Sequence, residues 1–131
     1  MITDPISDML TRLRNATMVR AKTVEMPMSK MKYAIAKLLE REGFVSGVDT
    51  FSVGARPMLK VVLKYDEAGQ PRMTHIKRVS KPGLRVYQKN TELERVRSGY
   101  GFSIVSTPNG LMTNREARKR RLGGEVICEV A

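Results

Sequence analysis

Ser106, Thr107, Pro108, Asn109 and Gly110 set two small hydroxyls and a side-chain amide among turn-forming residues. Shortly after come Arg115, Arg118, Lys119, Arg120 and Arg121, and then Gly123, Gly124 and Glu125. Hydroxyls and loop amides suit the 2′-hydroxyls and exposed base edges of an RNA, while guanidinium and ammonium groups hold the flanking phosphates. The alternative is a polar hairpin beside a solvated charged helix, the commoner fate of such runs. Other chemistry finds little support. His75 is the only histidine and Cys128 the only cysteine, so no metal-ligand spacing exists. Glu42, Glu67, Glu92, Glu94 and Glu125 are scattered, and none pairs with another for acid–base work. Ser103 and Ser106 lack a nucleophile elbow, and Gly99-Tyr100-Gly101 is too short for a phosphate-binding loop. We expect no catalytic residues, no metal and no cofactor.

The elements that must position these residues are readable around them. Phe102 and Ile104 alternate with Ser103 and Val105 as a strand leading into the 106–110 loop. Thr113-Asn114-Arg115-Glu116 is a capping box: the Thr113 hydroxyl accepts from the Glu116 amide, and the Glu116 carboxylate reaches back to residue 113. A short basic helix should follow, stopped by Gly123-Gly124, with Glu125 opening a last strand through Val130. Tyr87 lies two residues after Arg85 and so on the same strand face. It is the best base-stacking candidate, or else an ordinary strand aromatic.

The 131 residues carry 24 Lys and Arg against 13 Asp and Glu, a net charge of +11, with a pI near 10.2. Such an excess concentrates polyanions and repels itself unless one binds. No apolar run reaches the roughly 18 residues that span a bilayer, so nucleic acid is preferred over membrane. Met1 to Asp8 show no signal peptide. A single cysteine excludes an internal disulfide and suits a reducing compartment, so the cytoplasm is expected.

Taken in order, Asp4 caps a helix with Pro5 at its first position, and Ile6, Met9, Leu10 and Leu13 form its apolar stripe. Thr23–Met26 reads as a short strand stopped by Pro27. Ser29 caps a second helix with the stripe Met31, Ala34, Ile35, Leu38 and Leu39, ending at Gly43. Lys30, Lys32 and Lys37 fall on its exposed side. The first two oppose the helix dipole, a cost that a phosphate would relieve or that is simply tolerated. Strands follow over 44–53 and 59–65, around a turn at 54–57. Residues 66–71 have linker composition. The second half offers strands over 73–79 and 84–87, a helical turn over 91–96 capped by Thr91 and Glu94, and strands at 100–105, 111–112 and 126–130. The fold class is α+β in two small domains. Residues 1–65 form an N-terminal α-β-α-β-β domain. Residues 72–131 form a C-terminal, mostly antiparallel β domain with a short basic helix, which is the expected RNA binder.

Long stretches of the chain resemble the bacterial family of small-subunit ribosomal protein number eight. They are TDPISDMLTRLRN (3–15), MSKMKYAIAKLLEREGF (28–44), RVSKPGLRVY (78–87), VSTPNGLMTNREAR (105–118) and LGGEVICEV (122–130). The resemblance implies a structural protein of the ribosome that binds the central domain of small-subunit rRNA directly, early in assembly. It implies ribosomal proteins five and twelve of the small subunit as neighbours. It also implies, for some bacteria, repression of its own operon through an mRNA site resembling the rRNA. By position, the main RNA surface falls on Ser106, Thr107, Pro108, Asn109 and Gly110 with Gly123, Gly124 and Glu125. A secondary surface falls on Thr3, Asp4, Arg12, Arg14, Asn15, Lys30 and Lys32. Pro108 stands where many members have serine, and Asn109 where many have a basic residue. Arg85, Tyr87, Arg115, Arg118 and Lys119 complete the candidate contacts. The rivals are a free regulator acting mainly on mRNA through the same loop, and a basic DNA-binding protein. For the second, neither a recognition helix nor an intercalating wedge is evident.

Overall fold

The computed structural model describes residues 4–93 and 101–131. These divide into two compact units: Asp8–Met73, and the chain before Asp8 together with Thr74–Ala131. No described helix is long and apolar enough to cross a membrane.

Helix α1 (Pro5–Met18) starts as its capping residue dictates. The Ser7 amide and hydroxyl donate to the two Asp4 carboxylate oxygens at 3.2 and 2.6 Å, and Ile6, Met9, Leu10 and Leu13 are buried. In the Asp8–Met73 unit, β1 (Thr23–Pro27), β2 (Val45–Val53) and β3 (Arg56–Leu63) form an antiparallel sheet of order β1-β3-β2. Val24, Met26, Leu59, Val61 and Leu63 are its buried residues.

Helix α2 (Lys30–Arg41) is capped by Ser29, whose hydroxyl accepts from the Lys32 amide. Its stripe is turned from the expected one. Lys32, Ile35, Ala36, Leu38 and Leu39 are buried, whereas Met31 is 40% exposed. The reason is that the Lys32 stem lies along apolar surface while its ammonium donates to the Pro27 carbonyl at 3.2 Å. A pattern read from residue type does not count a lysine as core.

Residues 66–71, expected as a linker, fold as a tight turn of this unit. The Asp66 carboxylate accepts from the Ala68 and Gln70 amides, both at 2.9 Å, and Tyr65 pairs with Pro71 across it. The Arg72 guanidinium then stacks over Phe44, 4.1 Å from the ring centre. The two compact units divide between Met73 and Thr74, and the first turn of α1 goes with the later part of the chain.

That later part contains β4 (Ile76–Arg78), β5 (Tyr87–Gln88), a 3-10 turn (Asn90–Glu92), β6 (Phe102–Thr107), β7 (Gly110–Thr113), α3 (Asn114–Lys119) and β8 (Gly124–Val130). The sheet order is β4-β8-β6-β7, with β5 also pairing β8, all antiparallel. The strands expected over 73–79 and 84–87 shrink to short pieces. The Ser80 amide still donates to the Val126 carbonyl of β8 at 3.1 Å. Lys81 and Leu84 then exchange amide–carbonyl hydrogen bonds at 2.9 Å across a tight turn, and the Ser80 hydroxyl accepts from the returning Val86 amide at 2.9 Å. The chain thus turns off the ladder and returns as β5. The turn expected over 91–96 starts earlier, with the Glu92 carboxylate accepting from the Lys89 amide at 2.7 Å. Glu94, Val96 and Tyr100 lie outside the described residues. Val105, Met112, Val126, Ala117 and Leu93 form one buried cluster, with Val79 and Leu122 packed on it.

Candidate nucleic-acid interface

Strand register assembles a polar row from four separate segments. Tyr87 on β5 is opposite Glu125 on β8, Glu125 is opposite Ser106 on β6, and Ser106 is opposite Leu111 on β7. Directly opposed residues project to the same face, so Tyr87, Glu125, Ser106 and Leu111 share one. Their neighbours Val105, Met112 and Val126 face the other way, into the core. Arg85 joins the row by donating from Nη1 to Glu125 Oε2 at 3.1 Å. This holds a largely buried carboxylate in place beside a phenol ring that is 69% exposed. The Ser106 hydroxyl is half-buried and makes no hydrogen bond among the described residues.

The expected loop is tighter than its composition implied. Ser106 and Thr107 end β6, Gly110 opens β7, and only Pro108 and Asn109 form the turn. Thr107 closes it: its buried hydroxyl accepts from the Asn109 amide at 3.1 Å and donates to the Gly110 carbonyl at 2.8 Å. Gly110, at φ 109°, allows the strand to resume. The two expected hydroxyls therefore differ. That of Thr107 is committed to the turn, and that of Ser106 is available.

Gly123 and Gly124 are required by close approach. A Cβ on Gly124 would lie 2.0 Å from the Ser106 carbonyl oxygen, and one on Gly123 would lie 2.6 Å from that of Gln88. Beside them runs an open groove of about 520 Å³, lined by Tyr87, Gln88, Lys89, Asn90, Glu92, Gly123 and Gly124. Gln88, Lys89, Asn90 and Glu92 were not foreseen. A Gly-Gly pair signals that something approaches closely, but only the β5–β8 pairing identifies what.

Helix α3 has the capping box read from the sequence, with the Thr113 hydroxyl accepting from the Glu116 amide at 3.2 Å. It packs through Ala117 onto Val105, Met112 and Val126. It therefore covers the face opposite the polar row and is not set beside the hydroxyls, as the linear sequence implied. Arg118 and Lys119 are exposed on it, while Arg115 donates to the Gly101 carbonyl at 3.3 Å.

The candidates from the first third of the chain separate similarly. Thr3 lies outside the described residues. Asp4 is engaged twice, as the α1 cap and as the partner of Arg78. Burial pushes its carboxyl up, but hydrogen bonds from Arg78 and Ser7 and the guanidinium charge outweigh this and hold it at about 2. Arg12 pairs with Asp8 at 3.0 Å. Arg14 and Asn15 are exposed on α1, and Lys30 is exposed at the start of α2. Lys32 is buried, so its ammonium is not on the exposed side where it was expected. His75 stands 3.7 Å from Glu129, and no group of three or more metal-ligating side chains occurs among the described residues. Cys128 is fully buried, which pushes its thiol up to about 12.

Fold and charge define a class: a small, strongly basic α+β protein that presents a polar row on one sheet face and unpaired cations on the other. The family model for ribosomal protein S8 matches residues 4–131. The chain is 55% identical over 129 residues to the small ribosomal subunit protein uS8 of Caldanaerobacter subterraneus, covering 98% of each chain. It is 53% identical over 130 residues to that of Aromatoleum aromaticum, covering 99% of this chain and 98% of the relative. To that of Clostridioides difficile it is 46% identical over 129 residues, covering 98% of each. The chain belongs to the ribosomal protein S8 family.

Proposed function

We propose that this protein binds the central domain of small-subunit rRNA directly, early in assembly, and helps to organise it. As a member of its family it is a structural, non-enzymatic constituent of the small ribosomal subunit, placed with the ribosome in the cytoplasm. The observation that carries the direct rRNA contact is the row Tyr87–Glu125–Ser106. An exposed ring offers a stacking surface, and an immobilised carboxylate accepts from base amino or imino groups. A free hydroxyl donates or accepts at a base edge or 2′-hydroxyl. Gly123 and Gly124 keep the surface beside the row free of side chains. Lys89, which lines the groove beside the row, supplies a phosphate contact there, and Arg118 and Lys119 on α3 and Lys30 on α2 supply others.

Ribosomal proteins five and twelve of the small subunit are the proposed protein neighbours, on the strength of the family resemblance. An mRNA of its own operon that imitates the rRNA would use the same row. Filter binding of a central-domain rRNA fragment tests the reading. Affinity should fall with salt with a log–log slope of about 0.7–0.9 per phosphate neutralised, and duplex DNA should compete poorly. An isotherm indifferent to salt, or equal competition by DNA, would overturn it.

A further inference from the structure

We propose that Arg118, Lys119, Arg120 and Arg121 form a second RNA contact, which grips the phosphates of a segment other than the one met by the polar row. The inference rests on the RNA reading above and deepens it. Its first support is placement. Ala117 seats α3 on the Val105 side of the sheet, whereas Ser106, Glu125 and Tyr87 project from the opposite side. One RNA strand lying along the row does not also lie along α3, so the two surfaces suit two segments held together by one protein.

The second support is charge without compensation. All four side chains are exposed, and none has an ion pair or hydrogen bond among the described residues. The nearest carboxylate in sequence, that of Glu116, is turned back to the helix start, where it accepts from the Thr113 amide. A helix end favours cations in its last turn, which accounts for Arg118 and Lys119. It does not account for Arg120 and Arg121, the cap and the residue beyond it.

The third support is backbone conformation. Arg121 has φ 58°, in the left-handed region where helices ordinarily stop on glycine. The helix closes there with the Arg121 amide on the Arg118 carbonyl at 3.1 Å and the Leu122 amide on that of Ala117 at 2.8 Å. Glycine would make the same closure without the Cβ conflict. Among the described residues the other non-glycine residue with positive φ is Arg20, at 55°, and its guanidinium is used locally, donating to the Gly69 carbonyl at 2.8 Å. The guanidinium of Arg121 has no such use. A strained residue whose side chain gains nothing within the fold points to a contact outside it, and a run of cations selects a phosphate backbone.

The decisive variant is Arg121→Gly, because its two effects run in opposite directions. It should raise Tm by about 2–4 °C by relieving the left-handed residue, and it should weaken binding of the central-domain rRNA fragment. The double variant Arg120→Ala/Arg121→Gly should bind at least about tenfold more weakly at low salt, with the slope reduced by about 0.7–0.9 for each lost phosphate contact. In hydroxyl-radical footprints it should lose one protected stretch of RNA backbone and keep the stretch that Ser106→Ala weakens. Unchanged affinity and slope would overturn the inference and leave the cations to an acidic protein segment. A footprint that fades uniformly would overturn the claim of a second segment. Wild-type protein that binds no rRNA fragment removes the underlying reading instead.

Discussion

Arg78 grips Asp4 at two points, Nε to Oδ2 at 3.0 Å and Nη2 to Oδ1 at 3.2 Å, across 74 residues of chain. The side chains are 11% and 17% exposed, and Arg78 also donates to the Ile127 carbonyl at 2.8 Å. This pair ties the first turn of α1 to the β4–β8 ladder. It gives Asp4 a structural role where the family resemblance implied an RNA contact.

The pair has a pH signature. The Asp4 carboxyl is depressed from 3.8 to about 2 on folding, so the unfolded chain takes up a proton first as pH falls. Its stabilisation is therefore complete well above pH 4, fades between about pH 4 and pH 2, and is absent below that. Asp4→Asn should cost about 1–2 kcal/mol at pH 7. In urea titrations the gap between variant and wild type should narrow steadily toward pH 2. A gap that stays constant over this range would mean that the ionised pair is not what stabilises the turn.

Ser106 and Thr107, side by side in sequence, should respond differently to alanine. Ser106→Ala removes a hydroxyl with no partner among the described residues, so stability should stay within about 0.5 kcal/mol of wild type. Cognate RNA should nonetheless weaken by about 1–3 kcal/mol, as an RNA group loses its partner. Non-cognate RNA, held mainly through phosphates, should bind as before. Thr107→Ala opens the turn and should lower stability by about 1 kcal/mol. Melting curves and competition binding separate the two. Full discrimination by a folded Ser106→Ala variant would remove Ser106 from the interface.

What the sequence disclosed and what it concealed follow from how local each cause is. Asp4 and Ser29 start α1 and α2, and the capping box of Thr113 starts α3, because capping involves residues three apart. The alternation in β3 reports its buried face for the same reason. The side of the sheet on which α3 rests depends on Ala117 meeting Val105 and Val126, a contact that no window of neighbouring residues contains. The pairing of Ser80 is likewise with a strand more than forty residues later. The candidate site shows the same division. Its residue types were legible, but the pairing of Tyr87 with Glu125, and of Glu125 with Ser106, is a matter of strand register.

Gly124 should be the least replaceable residue of the candidate surface. Alanine there would place a methyl group 2.0 Å from the Ser106 carbonyl oxygen, which is backbone and does not swing aside. The β6–β8 ladder would have to part at Ser106–Glu125, the centre of the row. Gly124→Ala should therefore cost about 2–3 kcal/mol in stability and abolish discrimination between cognate and non-cognate RNA. Gly110→Ala meets no atom within 4 Å and carries only the penalty of φ 109°. If Gly124→Ala is no more harmful than Gly110→Ala in denaturant titrations, β6 and β8 do not approach as described.

Lys30 and Lys32 invite the same expectation from sequence, and the structure separates them. Lys30 is exposed, whereas Lys32 is 7% exposed with its ammonium on the Pro27 carbonyl. Lys30→Ala should leave stability nearly unchanged and lower the salt slope of rRNA binding by about 0.7–0.9 if it meets one phosphate. Lys32→Met keeps the apolar stem and removes a charge that is costly to bury. It leaves the Pro27 carbonyl without that donor, so the two effects offset and stability should change by less than about 1 kcal/mol. Its rRNA affinity and salt slope should match wild type. Lys32→Ala, which also removes the stem from beside Ile35 and Ala36, should be the more destabilising of the two. A lowered salt slope in a fully folded Lys32→Met variant would mean that the ammonium leaves Pro27 for the RNA, the contact that the family resemblance implies.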